Sequence, residues 1–177
     1  MSSTTRTPTN PNFLHPNKFQ VVFSRAPELA YFCQSVTIPG FNIGEGQFST
    51  PFIDLFVPGD KMTYDLLTFT FLIDEHLAGW LTIANWMKGL TFPEKFEQYG
   101  SMDLQNKTTD KSPTPQYADA IVTLLSSSHT PLYRFTYVNC FPTSLGPLML
   151  SSTDTPDSVL TSDVSLRFQD VSITKLF

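Results

Sequence analysis

The chain has 177 residues, a net charge of −5, 41% hydrophobic residues and 16 phenylalanines, with only 15% charged residues. A chain of this length can bury a sizeable core without disulfides or metal. It has no basic cluster for gripping phosphates, no apolar run long enough to cross a membrane and no signal-peptide pattern. Because typical soluble domains carry about 25% charged residues, the composition predicts that other subunits cover part of the surface.

The N-terminal third of the chain predicts an arm followed by two strands. Residues 1–12 are rich in Ser, Thr, Pro and Asn, which predicts a flexible arm before a single domain at 13–177. Phe19–Phe23 alternates apolar and polar residues, as a half-buried strand does. Leu29–Ile38 predicts a second strand that forms a hairpin with the first.

The stretch 39–60 has no helical period and holds four phenylalanines among glycines and prolines. It predicts a long loop, with a short strand at Ile53–Val57. Long loops in compact domains are usually functional or disordered, and disordered segments are poor in aromatic residues. We therefore expect the loop to bury its aromatic side chains against a partner. Its candidate contact residues are Pro39, Gly40, Phe41, Phe48, Phe52, Phe56 and Asp60.

The segment 66–89 predicts a strand followed by a helix. Apolar residues alternate with threonines up to Ile73, which predicts a strand. From Asp74 onward they recur at steps of three and four, which predicts a helix capped by Asp74 and ended by Gly89. The side chains expected to pack this helix onto the core are Leu77, Trp80, Trp86 and Met87.

The remainder of the chain predicts a polar excursion and further strands. Residues 93–116 are rich in Thr, Lys, Asp and Pro and predict a long loop. Strands are predicted at Ala120–Leu125, at Tyr133–Phe141 with Pro142 as its end, and at Val164–Phe168. The apolar phase slips at Asp170, which indicates a bulge. The chain is therefore predicted to be mainly β and antiparallel, with one flanking α-helix.

Residues that could perform chemistry are scattered. His15, His76 and His129 are far apart in sequence, and surface or capping roles explain them better than metal ligation. The chain has no phosphate-binding loop, nucleophile elbow, Cys-x-x-Cys pair or His-Glu-x-x-His motif. Cys33 and Cys140 lie in apolar strand-like runs and are expected to be small buried hydrophobes. The sequence predicts no enzyme, no cofactor and no metal site.

One alternative from a different class is a carbohydrate-binding β-sandwich. In that interpretation Trp80 or Trp86 would serve as a stacking platform for a sugar ring. Both tryptophans fall on the predicted helix rather than on a sheet or loop face. A tryptophan on a helix with an apolar stripe is more often part of the core, so the sequence does not favour this class.

Several segments occur in a characteristic order between Asn12 and Ile173, although none of them is a chemical motif. They are His15–Val21, Phe32–Gln34, Ile38–Gly40, Pro58–Asp60, Leu67–Ile73, Asp74–Glu75 with Trp86, Val138–Leu145 and the alternating final strand. In combination they resemble the tail-tube proteins of contractile-tailed bacteriophages, including the tube-initiating proteins of the baseplate. The arm before Asn12 and the excursion at 93–116 depart from the family pattern.

The resemblance implies two packed antiparallel sheets, forming a sandwich or barrel, in each subunit of a hexameric ring. Rings would stack into an inner tail tube in contact with sheath and baseplate proteins, and DNA would pass through without specific binding. The protein would then be a virion component assembled in the host cytoplasm, with the loop 39–60 as the ring-stacking contact. A baseplate–tube junction or initiator ring, and a secreted tube of a bacterial contractile injection machine, share this fold and remain alternatives.

Overall fold

The computed structural model describes residues 12–91, 116–153 and 159–176. These residues form nine strands and two helices. In chain order they are β1 (Phe19–Phe23), α1 (Leu29–Phe32), β2 (Cys33–Thr37), β3 (Phe41–Ser49), β4 (Asp54–Tyr64), β5 (Leu67–Leu72), α2 (Ala78–Thr91), β6 (Ala118–Leu125), β7 (Pro131–Leu145), β8 (Thr161–Arg167) and β9 (Asp170–Lys175).

Seven of the strands form two antiparallel sheets that share one strand. We name them sheet A, with the order β1-β6-β7-β9, and sheet B, with the order β7-β8-β5-β2. The shared strand is the fifteen-residue β7, whose first part pairs with β6 and β9 while its last residues pair with β8. The prediction of a mainly β domain with two antiparallel sheets is confirmed.

The core lies between the two sheets. On β5 the alternation seen in the sequence places Leu67, Phe69 and Phe71 in the core, and the threonines between them face outward. Val164 and Leu166 of β8 lie directly opposite this row and are equally buried. Removing these side chains from water is what holds the sheets together, at about 1.5–3 kcal/mol for each large apolar residue.

Helix α2 closes one side of the sandwich. Its side chains Ile83 and Trp86 are buried in the core cluster, and Trp80 and Met87 pack at the margin of that cluster. The carboxylate of Asp74 accepts a hydrogen bond of 3.3 Å from the backbone N–H of Ala78, the first residue of the helix. The apolar stripe therefore meets the sheets along the face that the sequence spacing indicates.

The predicted end of this helix is wrong. Gly89 lies inside α2, which runs to Thr91, and it is buried rather than placed in a left-handed cap. A glycine without a side chain suits a helix face that packs closely on its neighbours. Gly79 at the other end of the helix has the same role, since a Cβ there would lie 2.7 Å from Leu29 Cδ2.

The predicted hairpin between the first two strands is also wrong. The stretch Leu29–Ile38 begins with one helical turn, α1, before β2 starts at Cys33. This turn carries the chain from one sheet to the other, so that β1 pairs with β6 in sheet A while β2 pairs with β5 in sheet B. Leu29 at the start of the turn is buried, which fixes the crossing point.

Two further differences concern the end of the chain. Strand β7 passes through Pro142 and ends at Leu145, with a register shift between Pro142 and Ser144. The phase slip near Asp170 is a transfer from β8 in sheet B to β9 in sheet A, not a bulge within one strand. The expected arm at 1–12, apart from its last residue, and the excursion at 93–115 lie outside the described residues.

Candidate assembly surface

The stretch 39–60, predicted as a long loop, is mostly a two-stranded hairpin formed by β3 and β4. From here on, "the arm" means residues 41–64 and no longer the N-terminal segment 1–12. Its strands pair from Phe41 opposite Tyr64 to Ser49 opposite Asp54, with a register shift after Ile43. The sequence pattern concealed these strands because the apolar positions change phase at the shift. The chain Leu55–Val57 is apolar throughout, so no alternation marks it as a strand.

The root of the arm is fixed to the sandwich. Pro39 is buried, and the backbone N–H of Asp65 donates to the carbonyl oxygen of Gly40 at 3.2 Å. The amide of Asn42 donates to the Asp65 carboxylate at 2.9 Å. The Tyr64 ring packs against Phe168, with ring centroids 5.2 Å apart. These contacts set the direction in which the arm leaves the body.

Tyr64 also links the root to sheet A. Its hydroxyl donates to the Asp170 carboxylate, 3.3 Å away, at the first residue of β9. Partial desolvation, together with the negative charge of Asp170, raises the pKa of the Tyr64 hydroxyl. The hydroxyl therefore stays protonated and able to donate at neutral pH.

Beyond the root, no other described element forms a second layer on the arm. Its two strands pair only with each other among the described elements. A nine-residue strand is about 30 Å long, and Phe52 at the tip is 98% exposed. A lone hairpin is only marginally stable in water, and a large exposed apolar patch marks an interaction site. The exposed apolar side chains of the arm are Phe41, Ile43, Phe48, Phe52, Ile53, Leu55, Phe56, Val57 and Met62.

The irregular middle of the arm depends on glycine. A Cβ at Gly59 would lie 2.6 Å from the backbone carbonyl oxygen of Gly44 on the opposite strand. No side chain fits between two backbones at that distance. The glycine therefore allows the strands to stay paired across the register shift, where Asp60 also lies.

The sandwich itself presents open sheet edges. Among the described elements, sheet A ends at β1 and β9, and sheet B ends at β2 and at the last residues of β7. Each edge has backbone N–H and C=O groups without a neighbouring strand. Such edges are a liability for a protein that stays alone, and they are removed when sheets close into a ring.

No arrangement of side chains in the described residues suits catalysis. No group of three or more His, Cys, Asp or Glu residues there could hold a metal ion.

The cavities in this described part of the chain offer no ligand pocket either. The cavity beside Trp86 is apolar and holds only about 10 Å³. The larger groove, of about 530 Å³, is a shallow surface feature between the edge strands β1 and β2. In that same part of the chain, no helix has the length and apolar character needed to cross a membrane.

The tryptophans do not form a sugar platform. Trp86 is buried, lies under the guanidinium of Arg25 at 5.1 Å and donates its indole N–H to the carbonyl oxygen of Gln116 at 3.1 Å. Trp80 is half-buried and donates to the carbonyl oxygen of Gly146 at 3.4 Å. Both rings are therefore turned toward the protein rather than toward a ligand.

The predicted contact residues are brought together only in part. Phe41, Phe48, Phe52 and Phe56 lie along the arm, while Pro39 and Gly40 belong to its root. Trp80, Trp86 and Met87 of α2 and the capping residue Asp74 belong to the body and not to this surface. Leu77, predicted to pack on the core, instead precedes α2, and its carbonyl oxygen accepts from the Leu81 N–H at 2.8 Å. Sequence reasoning missed five residues that add to the exposed apolar area: Ile43, Ile53, Leu55, Val57 and Met62. Ile43 follows Phe41 at the two-residue step that is typical of a strand, and this spacing could have identified it.

Comparison with known proteins agrees with this architecture. A family model described as "Phage tail tube protein" matches residues 10–174. The chain is similar to a chain in the tube-terminating cap of the anti-feeding prophage (16% identity, TM-score 0.61, 99% of both chains covered). It is also similar to a chain in the baseplate of that particle (16% identity, TM-score 0.60, 94% of this chain and 97% of that chain).

A third similar structure is a chain from the sheath–tube complex of the PVC extracellular contractile injection system in its extended state (16% identity, TM-score 0.57, 99% of both chains). At these identities the likeness shows a shared fold. Nothing among curated proteins matches the chain. The family match confirms the resemblance drawn from the residues and places the chain among structural tube proteins rather than enzymes.

Proposed function

This chain belongs to the phage tail tube protein family, and we propose that it is the main tube subunit, which forms hexameric rings that stack into the inner tail tube. The observation that carries this proposal is the arm, a hairpin that exposes nine large apolar side chains and that pairs with no other strand in the described part of the chain. A free monomer would leave that surface in water, whereas a stacked ring would cover it.

Ring closure is supported by the strand count of sheet B. The sheet has four strands, all antiparallel, with β2 at one edge and the end of β7 at the other. Because the number is even, β2 of one copy can pair with β7 of the next and keep the antiparallel order. A head-to-tail contact of this kind gives a ring when its rotation closes, and a closed ring has no free edges.

Passage of DNA is supported by the outward face of sheet B. This face carries hydroxyl side chains such as Thr68, which lies 3.3 Å from the Ser165 hydroxyl, and Thr70, which donates to Asp163 at 2.7 Å. On this face β8 carries one negatively charged residue, Asp163, and one positively charged residue, Arg167. If this face lines the channel, phosphates meet hydroxyl groups and no net positive charge, so DNA is not gripped.

The implied partners follow from this placement. The tube would contact tail sheath proteins on its outside and baseplate proteins at its lower end. The protein would be a virion component assembled in the host cytoplasm. A baseplate–tube junction ring of the same fold is the second candidate, since the fold is also shared with a chain of a baseplate. That ring would form without polymerising.

The test is to shorten the arm without disturbing its root. Asn42 and Thr63 lie directly opposite each other, so a two-residue Asn-Gly turn can replace Ile43–Met62. We expect this variant to fold and form rings by sedimentation, yet to form no tubes in negative-stain images, while the unchanged protein forms tubes. Normal tubes from the shortened variant would refute the stacking role. Single rings from the unchanged protein would favour the junction candidate.

A second experiment addresses the channel. Assembled tubes mixed with labelled short DNA should retain no more of it at about 50 mM salt than at about 200 mM salt. Retention that falls steeply with salt would indicate phosphate contacts and would contradict a lining without net positive charge.

A further inference from the structure

The inward face of sheet A continues beyond the part that the rest of the sandwich covers. In its middle, Val122 and Tyr137 are fully buried. Toward the far end of the same face, Tyr133 is 41% exposed and Ile173 is 51% exposed, and both carry apolar surface that would be core if it were covered. We call this region the open end; its inward-facing apolar residues are Phe19, Leu124, Tyr133, Phe135 and Ile173.

The open end has a basic rim. Lys18 and Lys175 lie around it, with Lys175 directly opposite Tyr133. The Lys18 ammonium donates to the His129 ring nitrogen Nε2 at 2.8 Å. The described segments that build this region, residues 12–23, 121–136 and 171–176, contain no Asp or Glu. Local positive charge is therefore not balanced within these segments, in a chain whose net charge is negative.

The arm has the complementary character. It presents apolar side chains together with three acidic residues, Glu45, Asp54 and Asp60, against the single base Lys61. Burying three exposed phenylalanines corresponds to about 450–750 Å². This area approaches the roughly 800 Å² that each partner contributes to a stable protein interface.

The root of the arm and the open end lie at opposite ends of sheet A. The root of the arm is attached to the start of β9 through the hydrogen bond from Tyr64 to Asp170. The open end lies at the other end of the same strand, where Lys175 pairs with Tyr133. A six-residue strand separates them by about 20 Å. Unlike surfaces at opposite ends of one molecule produce a contact that repeats along an axis.

We propose that the open end of sheet A is the receptor for the arm of a second copy of this chain in the adjacent ring. The arm's aromatic side chains cover Tyr133 and Ile173, and its acidic residues meet the basic rim. This inference rests on the proposed stacking function and adds to it the surface that receives the arm.

The first test places a charge in the receptor. Ile173→Asp puts a carboxylate on the inward face of β9, and the matched control Thr174→Asp puts the same carboxylate on the outward face of the next residue. We expect Ile173→Asp to raise the protein concentration needed for tubes by about tenfold or more. Rings should persist, and the control should form tubes as the unchanged protein does. Equal assembly by both variants would overturn the proposal.

The second test detects the contact directly. Two proteins are mixed, one carrying Phe52→Cys and the other Ile173→Cys, with both native cysteines replaced by alanine and oxidant added after tubes have formed. We expect disulfide-linked pairs only in the tube fraction, whereas a Phe52→Cys and Thr174→Cys mixture should give few. Tubes that form without linked pairs would show that the arm docks elsewhere.

The outcomes separate this inference from the function on which it rests. If the shortened arm still gives tubes, the stacking function itself fails. If the shortened arm abolishes tubes while Ile173→Asp and the cross-linking pair show no effect, the arm stacks rings but its receptor lies on another surface.

Discussion

Phe69 on β5 and Phe48 on β3 both lie on antiparallel strands with apolar neighbours, yet Phe69 is 1% exposed and Phe48 is 61% exposed. Phe69 lies between β2 and β8, opposite Val36 and Val164, and the second sheet covers it. Phe48 has Leu55 opposite it on one side and no strand on the other among the described elements. The same residue type is therefore buried in the core of the body and exposed in the arm.

This contrast implies that the body folds without the arm. The sandwich has a continuous cluster of buried side chains from both sheets and α2, and none of the arm strands contributes a fully buried residue to it. An arm that is not needed for folding is free to carry an apolar surface for assembly. Stability and assembly should then respond to different substitutions.

The largest effect on stability is expected in the body. Trp86→Ala removes a buried ring together with its hydrogen bond to Gln116. We expect it to lower the free energy of unfolding by about 3–5 kcal/mol, measured by urea denaturation. Leu81→Ala, at an exposed position on the same helix, is the control and should change it by less than about 0.5 kcal/mol. A loss below about 1 kcal/mol for Trp86→Ala would show that the ring is peripheral.

The reactivity of the two thiols provides a chemical test of burial in the body. Burial raises the pKa of Cys33 to about 11 and that of Cys140 to about 12. At pH 8 we expect alkylation in the folded protein to be about a hundredfold slower at Cys33, and about a thousandfold slower at Cys140, than in the unfolded chain.

The same shifts give a pH dependence of stability. Above about pH 8.5 the two thiols lose their protons in the unfolded chain but keep them in the folded protein. The free energy of unfolding therefore falls as the pH rises from about 8.5 toward the raised pKa values. Mass spectrometry after timed alkylation, with a sample in denaturant as the reference, measures the reactivity. Native thiols that react at the denatured rate would contradict burial of this part of the body.

A smaller effect, of opposite sign, is expected at Tyr137. This side chain is fully buried, and its hydroxyl has no hydrogen-bond partner among the described residues. An unsatisfied buried donor costs about 1–3 kcal/mol, so Tyr137→Phe should raise the free energy of unfolding by about 1 kcal/mol. Tyr31→Phe, at an exposed position, should leave it unchanged. Destabilisation by Tyr137→Phe would reveal a partner for the hydroxyl.

The smallest effect on stability is expected in the arm. Replacing Phe48, Phe52 and Phe56 together by serine should change the free energy of unfolding by less than about 0.5 kcal/mol, since these side chains are exposed in the monomer. The same triple variant should lose tube formation. Thermal unfolding and negative-stain imaging of one preparation measure both properties. A large drop in stability would contradict the separation of arm and body.

Local sequence patterns predicted much of the body and little of the arm's structure. The alternation along β5 and the three- and four-residue spacing on α2 identified the correct buried faces, because each period is set by the backbone of a single element. The phenylalanines of the stretch 39–60 predicted an interaction surface, and this stays a prediction. They could not indicate a hairpin, because its apolar positions change phase at the register shift and its exposed strands are apolar on adjacent residues.

The sequence by itself determined the strand β5 and the helix α2 of the body and which of their faces are apolar. Only the tertiary structure decided that β1 and β2 belong to different sheets, that β7 serves both, and that the root of the arm and the open end lie at opposite ends of sheet A. The reason is physical: periodicity is a property of neighbours in sequence. Strand pairing and exposure depend on which distant segments bury one another.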